Sequence, residues 1–243
     1  VIDYSHSRMM NLDETSFEEH IADVLAHSDL YNQRQSGNFE IAELCDREML
    51  ERFVKAQPEV WAKLSRNAPE REIDTVIETY NRAINRGTNI WDMLHKGLMV
   101  VGAKVKLVEF QPQIGGDQSS AYKLYRENRF SVVRQMKYST DAADRDNELD
   151  LCILINGIPI ITCELKNEGT GQCYEDGIIQ YQTQRNANNR MLKACLVHFV
   201  MDNNLVFMTT KLAGTDTNFL PFNIGTTNPP VEGDADYPTH YMW

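Results

Sequence analysis

Asp150–Lys166, DLCILINGIPIITCELK, reads as two short apolar strands that meet at Asn156-Gly157. An Asn-Gly pair between β-rich runs is a strong hairpin signal, because both residues tolerate positive φ. The alternation predicts strands over Leu149–Ile155 and Ile158–Leu165. Polar side chains are few: Asp150 opens the first strand, and Glu164 and Lys166 close the second. Carboxylates and an ammonium at the end of an apolar hairpin are costly to bury without partners or a metal, and clusters of perturbed groups mark candidate sites. An Asp followed by Glu-x-Lys on the next strand suits metal-dependent phosphodiester hydrolysis. Hard oxygen ligands hold Mg²⁺, the metal activates water and offsets charge on the reacting phosphate, and the lysine assists. An ordinary ion pair at a strand end would use the same three residues, so this pattern alone does not decide.

Parity sets a further condition. If the loop were Asn156-Gly157 alone, Ile155 would pair with Ile158 and Leu149 would face Glu164. Directly opposed residues share a face, so Asp150 would point away from Glu164 and Lys166. A one-residue shift, through a three-residue loop or a bulge using Gly157, repairs this. It gathers Asp150, Thr162, Glu164 and Lys166 on one face, and Leu151, Ile153, Ile155, Ile161 and Leu165 on the other. The hairpin is therefore expected not to close with a simple two-residue turn.

The 243 residues suffice for one large domain or two small ones. No apolar run approaches a membrane span and no signal-peptide pattern opens the chain, which makes a cytoplasmic protein with no membrane partner the expectation. The first residue is Val1, which suggests a piece of something longer. Five cysteines without CxxC or regular spacing read as reduced thiols, and scattered histidines speak against zinc. The net charge of −11 argues against autonomous tight DNA binding, which rests on neutralising phosphates. It leaves room for a nuclease module brought to DNA by other domains or subunits.

Outward from the hairpin, the periodicity predicts helices over Thr15–Ser28, Asn38–Gln57 and Glu70–Asn85, with shorter ones after Pro58 and over Ile90–Gly97. Glu18 and Glu19 fall in the first turn of the first helix, where glutamates mostly serve the helix dipole. Strands are expected over Lys104–Phe110 and Arg129–Tyr138, with a turn-rich loop at Gln111–Ser120 between them. Beyond the hairpin come a helix over Tyr174–Arg185 and two strands, Ala194–Met201 and Leu205–Thr210. The domain reading is an α-rich part over 1–100 packed on a core over 101–212, then a linker over 213–243.

The order helix, strand, hairpin, helix, strand is the αβββαβ arrangement of the PD-(D/E)xK nuclease core, an α/β fold with a mixed central sheet flanked by helices. The segments NRFSVVRQMKYS, ELDLCILINGIPIITCELKN, EDGIIQYQTQR, LVHFVMDNNLVFMTT and KLAGTDTNFLPFNIG follow one another in the right order. Over roughly Asn128 to Trp243 the chain strongly resembles the N-terminal nuclease region of the restriction (R) subunit of type I restriction–modification enzymes.

That resemblance implies roles residue by residue. Asp150 and Glu164 would ligate Mg²⁺ or Mn²⁺ with the Leu165 carbonyl, and Lys166 would act on the attacking water or the scissile phosphate. Gln180 matches the family's helix glutamine. A tyrosine often follows that glutamine by about one turn, but here Gln184 and Arg185 stand there, so both are read as DNA contacts and Tyr181 is not carried over. Leu149 replaces a common proline that shapes the strand. The family cuts double-stranded DNA inside an assembly with methyltransferase and specificity subunits, after ATP-driven translocation. No GxxxxGK[ST] is present, so ATP belongs to the parent protein rather than to these residues. A stand-alone nuclease and a catalytically silent docking module of the same fold are the alternatives.

Overall fold

In a computed structural model the described residues are 14–113, 116–229 and 237–243, with side chains described from Phe17 onward. Parts of the expected turn-rich loop (114–115) and linker (230–236) therefore lie outside the described residues. Helix α1 (Glu14–Ala26) is followed by a strand, β1 (Tyr31–Arg34), that the sequence pattern did not announce. The helix expected from Asn38 begins only at Arg47. Leu44 adopts left-handed φ (55°), the preceding residues pair as β2 (Phe39–Glu40) and β3 (Cys45–Asp46), and Asp46 caps α2 (Arg47–Lys55) by accepting from the Met49 amide at 3.3 Å.

Three more helices complete this part: α3 (Pro58–Asn67) with Pro58 in its first turn, α4 (Glu72–Asn85), and α5 (Ile90–Lys96). Next comes a small hairpin of β4 (Leu98–Val100) and β5 (Ala103–Val105). The strand expected to run to Phe110 stops at Val105, because the Gln57 side chain takes both backbone groups of Lys106, at 2.8 and 3.0 Å.

After α6 (Ser120–Tyr125) come β6 (Phe130–Lys137), β7 (Glu148–Ile155) and β8 (Ile158–Leu165). The chain then forms α7 (Tyr174–Thr183), α8 (Arg190–Ala194), β9 (Val197–Met201), β10 (Val206–Thr209) and β11 (Leu220–Pro221). Seven of the described strands make one mixed sheet in the order β1-β6-β7-β8-β9-β10-β11. β1 is parallel to β6 and β8 is parallel to β9, while the other neighbours are antiparallel. The larger apolar core joins α2, α4, α5, α7 and α8 to one side of the sheet. Phe17, Ile21 and Ala22 of α1 pack on the other side against Leu151, Cys163 and Leu165, with Tyr237 from the C-terminal segment. No helix among the described residues is long and apolar enough to cross a membrane.

The central hairpin corrects one expectation and keeps its consequence. It closes on a two-residue turn, with Ile155 opposite Ile158 and both Asn156 (φ 48°) and Gly157 (φ 84°) in the left-handed region. The shift of one residue comes farther along, between Ile153 and Leu154 of β7. Leu154 faces Pro159 but Ile153 faces Ile161, so Ile160 is the extra residue of a bulge in β8. Beyond it the ladder ends at Leu151 facing Cys163, and the same register carried one residue further sets Asp150 on the side of the sheet that Glu164 occupies. Proline in a sheet interior is tolerated at bulges, so Pro159 was the available signal.

The tip of the hairpin is itself buried. The Asn156 side chain accepts from the Arg129 amide at 2.9 Å and donates to the Leu107 carbonyl at 3.0 Å. The Asp46 amide donates to the Gly157 carbonyl at 2.8 Å, and a β-carbon at Gly157 would stand 2.2 Å from the Asp46 carbonyl oxygen. Gly157→Ala is therefore expected to cost about 2 kcal/mol or more, from the left-handed backbone and the contact together. A loss of unfolding free energy in urea of less than half that would contradict this account of the turn.

Candidate active site

The bulge and the parallel β8–β9 pairing bring three of the sequence-selected residues together at one end of the sheet. Asp150 accepts through Oδ2 from the Leu165 amide at 2.7 Å, and the same oxygen lies 3.8 Å from Lys166 Nζ. Lys166 is 5 % exposed and follows the last residue of β8, its own amide donating to the Met201 carbonyl at 2.9 Å. Glu164 is fully buried. Its Oε1 accepts from Arg185 Nε at 2.7 Å, while Oε2, also buried, has no hydrogen-bond partner among the described residues. Burial, and then the neighbouring Asp150 carboxylate, push the Glu164 carboxyl up to about 8 against the pull of Arg185 and Lys166.

Arg185 lies inside the cluster. Besides Glu164 it donates to the Glu148 carbonyl at 2.6 Å, with its guanidinium 5.8 Å from the centre of the Tyr138 ring. Gln184 is exposed at the end of α7, and its carbonyl accepts from Asn147 at 3.0 Å. Gln180 is half-buried one turn earlier and makes no hydrogen bond to the three clustered residues. The chain approaches α7 closely here: a β-carbon at Gly177 would meet Val200 Cγ1 at 2.5 Å and the Lys166 stem at 3.5 Å.

Glu18 is a residue that the sequence reading assigned to the helix dipole. It is 1 % exposed on α1, paired with Arg134 Nε at 2.6 Å and hydrogen-bonded by Gln135. Gln135 reaches it from a left-handed backbone (φ 46°). Burial raises the Glu18 carboxyl pKa against the hydrogen bonds from Arg134 and Gln135, and Asp150 is close enough to add to the rise. The signal was present. Glu18 stands three, four and seven residues before Ile21, Ala22 and Leu25, on the buried stripe, whereas Val24, expected there, is 41 % exposed. Glu19 is exposed and contacts Arg134 at 3.2 Å.

Behind Glu164 a chain of buried polar groups crosses the sheet. Thr162 Oγ1 lies 2.7 Å from the Tyr181 hydroxyl and 2.6 Å from His198 Nδ1. Burial lowers the His198 pKa to about 4. A base whose folded pKa is depressed destabilises the fold as it protonates, so stability is complete at neutral pH and falls as pH drops through the unfolded value near 6.5. Between pH 7 and 4.5 this one group should remove about 2 kcal/mol. Urea unfolding of His198→Gln should show that much less acid sensitivity than the unsubstituted protein, and equal slopes would rule the histidine out as the cause.

Among the described residues no three His, Cys, Asp or Glu side chains converge as a ready cation cage. The Asp150 and Glu164 carboxylates are neighbours in the cluster, and an orphaned carboxylate oxygen in a fully buried position is what a divalent cation would satisfy. The donor set is all oxygen, which fits Mg²⁺ or Mn²⁺ and not a thiolate metal.

Fold and site thus define an α/β protein whose central hairpin gathers an Asp, a Glu and a Lys at the end of a mixed sheet. Residues 27–217 match the family described as type I restriction enzyme R protein N terminus, and the chain belongs to that family. The match begins just after α1 and takes in α2 to α5, a hundred residues before the segments that carried the resemblance in the sequence, and it ends at 217, short of the Trp243 to which that resemblance was read. A search of curated proteins returned no match.

Proposed function

We propose that this chain is the endonuclease domain of a type I restriction R subunit, hydrolysing DNA phosphodiester bonds with a divalent cation held by Asp150, Glu164 and the Leu165 carbonyl. The observation that carries the reading is the partnerless, buried Oε2 of Glu164 beside Asp150 and Lys166. A scaffold gains nothing from burying an unsatisfied carboxylate next to another one. In this reading α1, β6, β7, β8, α7 and β9 form the αβββαβ core of the PD-(D/E)xK fold, within the expected 101–212 core plus elements from the first hundred residues.

A bound Mg²⁺ or Mn²⁺ supplies charge neutralisation at the phosphate and a water of lowered pKa. The protein does the rest. The Leu165 amide fixes one oxygen of Asp150, and Arg185 fixes one oxygen of Glu164 and leaves the other for the cation. Lys166, held near Asp150, places its ammonium against the reacting phosphate and its attacking water. Gln180 and Gln184 lie on the helix that would flank the DNA. With a net charge of −11 the domain depends on the methyltransferase and specificity subunits, and on the ATP-driven motor, to deliver double-stranded DNA.

Isothermal titration with Mn²⁺ tests the site. The unsubstituted protein is expected to bind at one site that Asp150→Ala loses, and undiminished binding in that variant would move the ligands elsewhere.

A further inference from the structure

At the opposite end of the same hairpin the surface changes character. A cavity of about 700 Å³ opens beside Ile155, walled by Phe110, Tyr122 and Tyr125 and edged by Arg126, Arg129 and Asp29. Ile155 is five residues along β7 from Asp150, about 17 Å at strand rise, so this cavity is separate from the catalytic cluster.

Two features set it apart in so acidic a protein. First, its cations are not neutralised. Among the described residues neither Arg126 nor Arg129 is paired with a carboxylate, and the Arg129 guanidinium donates only to the Arg126 and Asn128 carbonyls. The neighbouring acids are engaged elsewhere, Glu127 by Arg52 and Glu109 by Lys106, which leaves Asp29 as an acceptor at the rim. Second, the rings continue past the cavity. Phe110, 45 % exposed, stacks on His95 at 4.3 Å, and His95 lies 3.9 Å from Trp91, itself 54 % exposed. Within the cavity Tyr122 and Tyr125 stand 6.0 Å apart.

Aromatic faces in a row beside unpaired arginines are what a single nucleic-acid strand requires. Bases stack on the rings whatever their sequence, and guanidinium groups meet the phosphates. The cavity volume suits one nucleotide, and the exposed Trp91–His95–Phe110 row offers surface for its neighbours. We infer that this end of the domain is a single-stranded DNA platform, with bases on Phe110, Tyr122 and Tyr125 and phosphates on Arg126 and Arg129. The inference goes beyond cleavage and does not rest on it, since binding here needs no metal.

The test uses the whole chain, in EDTA and low salt, with a labelled oligothymidylate read by anisotropy and by tryptophan fluorescence, the Trp91 share assigned with a Trp91→Phe variant because Trp61 and Trp243 also emit. Saturable binding with quenching of the tryptophan is expected. Tyr122→Ala with Tyr125→Ala should weaken it at least tenfold. Arg126→Gln with Arg129→Gln should weaken it and lower the salt slope by about 1.4. These side chains are exposed or half-exposed, and an unchanged thermal midpoint in either pair confirms the fold. Wild-type affinity in both pairs, or no binding at all, would overturn the inference. Thymidine monophosphate competing at the oligonucleotide's own affinity would do the same, by assigning the cavity to a free nucleotide. Failure here leaves the cleavage reading standing, because that is read by metal binding and DNA scission.

Discussion

Lys166→Ala is expected to lower DNA cleavage by the assembled restriction enzyme by at least about 10²- to 10³-fold, the scale of losing one preorganised charge donor at a reacting phosphate. ATP hydrolysis and translocation should stay within about twofold of the unsubstituted enzyme. The reason for the separation is spatial: Lys166 is 5 % exposed and touches Asp150 across the hairpin, with its stem against Gly177, so its removal alters the cluster and little surface. Supercoiled plasmid and phosphate release, followed in one reaction, measure both. A parallel collapse of ATP hydrolysis would show that Lys166 supports the assembly rather than the chemistry.

The second large effect is on stability. Arg185 is 6 % exposed and, among the described residues, holds the one hydrogen bond that Glu164 makes through its carboxylate. Breaking a buried pair by removing one partner costs about 3–5 kcal/mol, because the other charge is stranded, whereas removing both costs much less. At pH 9, above the raised Glu164 pKa, Arg185→Met is therefore expected to lower the unfolding free energy by about 3 kcal/mol, and Glu164→Gln in the same chain to return most of it. Urea denaturation of the two single variants and the double one completes the cycle. The sequence reading of Arg185 as a DNA contact predicts the contrary pattern, near-native stability with weakened DNA binding.

What the sequence made legible was whatever local pattern dictates. The two strands, the Asn-Gly turn and the selection of Asp150, Glu164 and Lys166 all follow from alternation and from the expense of buried charge. What escaped it depends on partners far along the chain. β1, YNQR, has no apolar alternation and exists because it lies parallel to β6, a hundred residues later. Gln57 silences the end of a strand from a distant loop. Glu18 was visible on its helix stripe but could be read as buried only with Arg134 opposite. The position of Arg185 required the turn after α7, where a helix had been expected to continue.

Ile160 has a consequence for how the gene can vary. Every residue of β8 beyond it owes its side of the sheet to the one residue that the partner strand does not match. Exchange of Ile160 for valine alters a little packing volume. Deletion of Ile160 restores an unbroken ladder and, in doing so, turns Thr162, Glu164 and Lys166 toward α1 and sends Cys163 and Leu165 to the opposite layer. The stretch from Gly157 to Lys166 should thus accept spelling changes and reject changes of length, like a reading frame written in three dimensions.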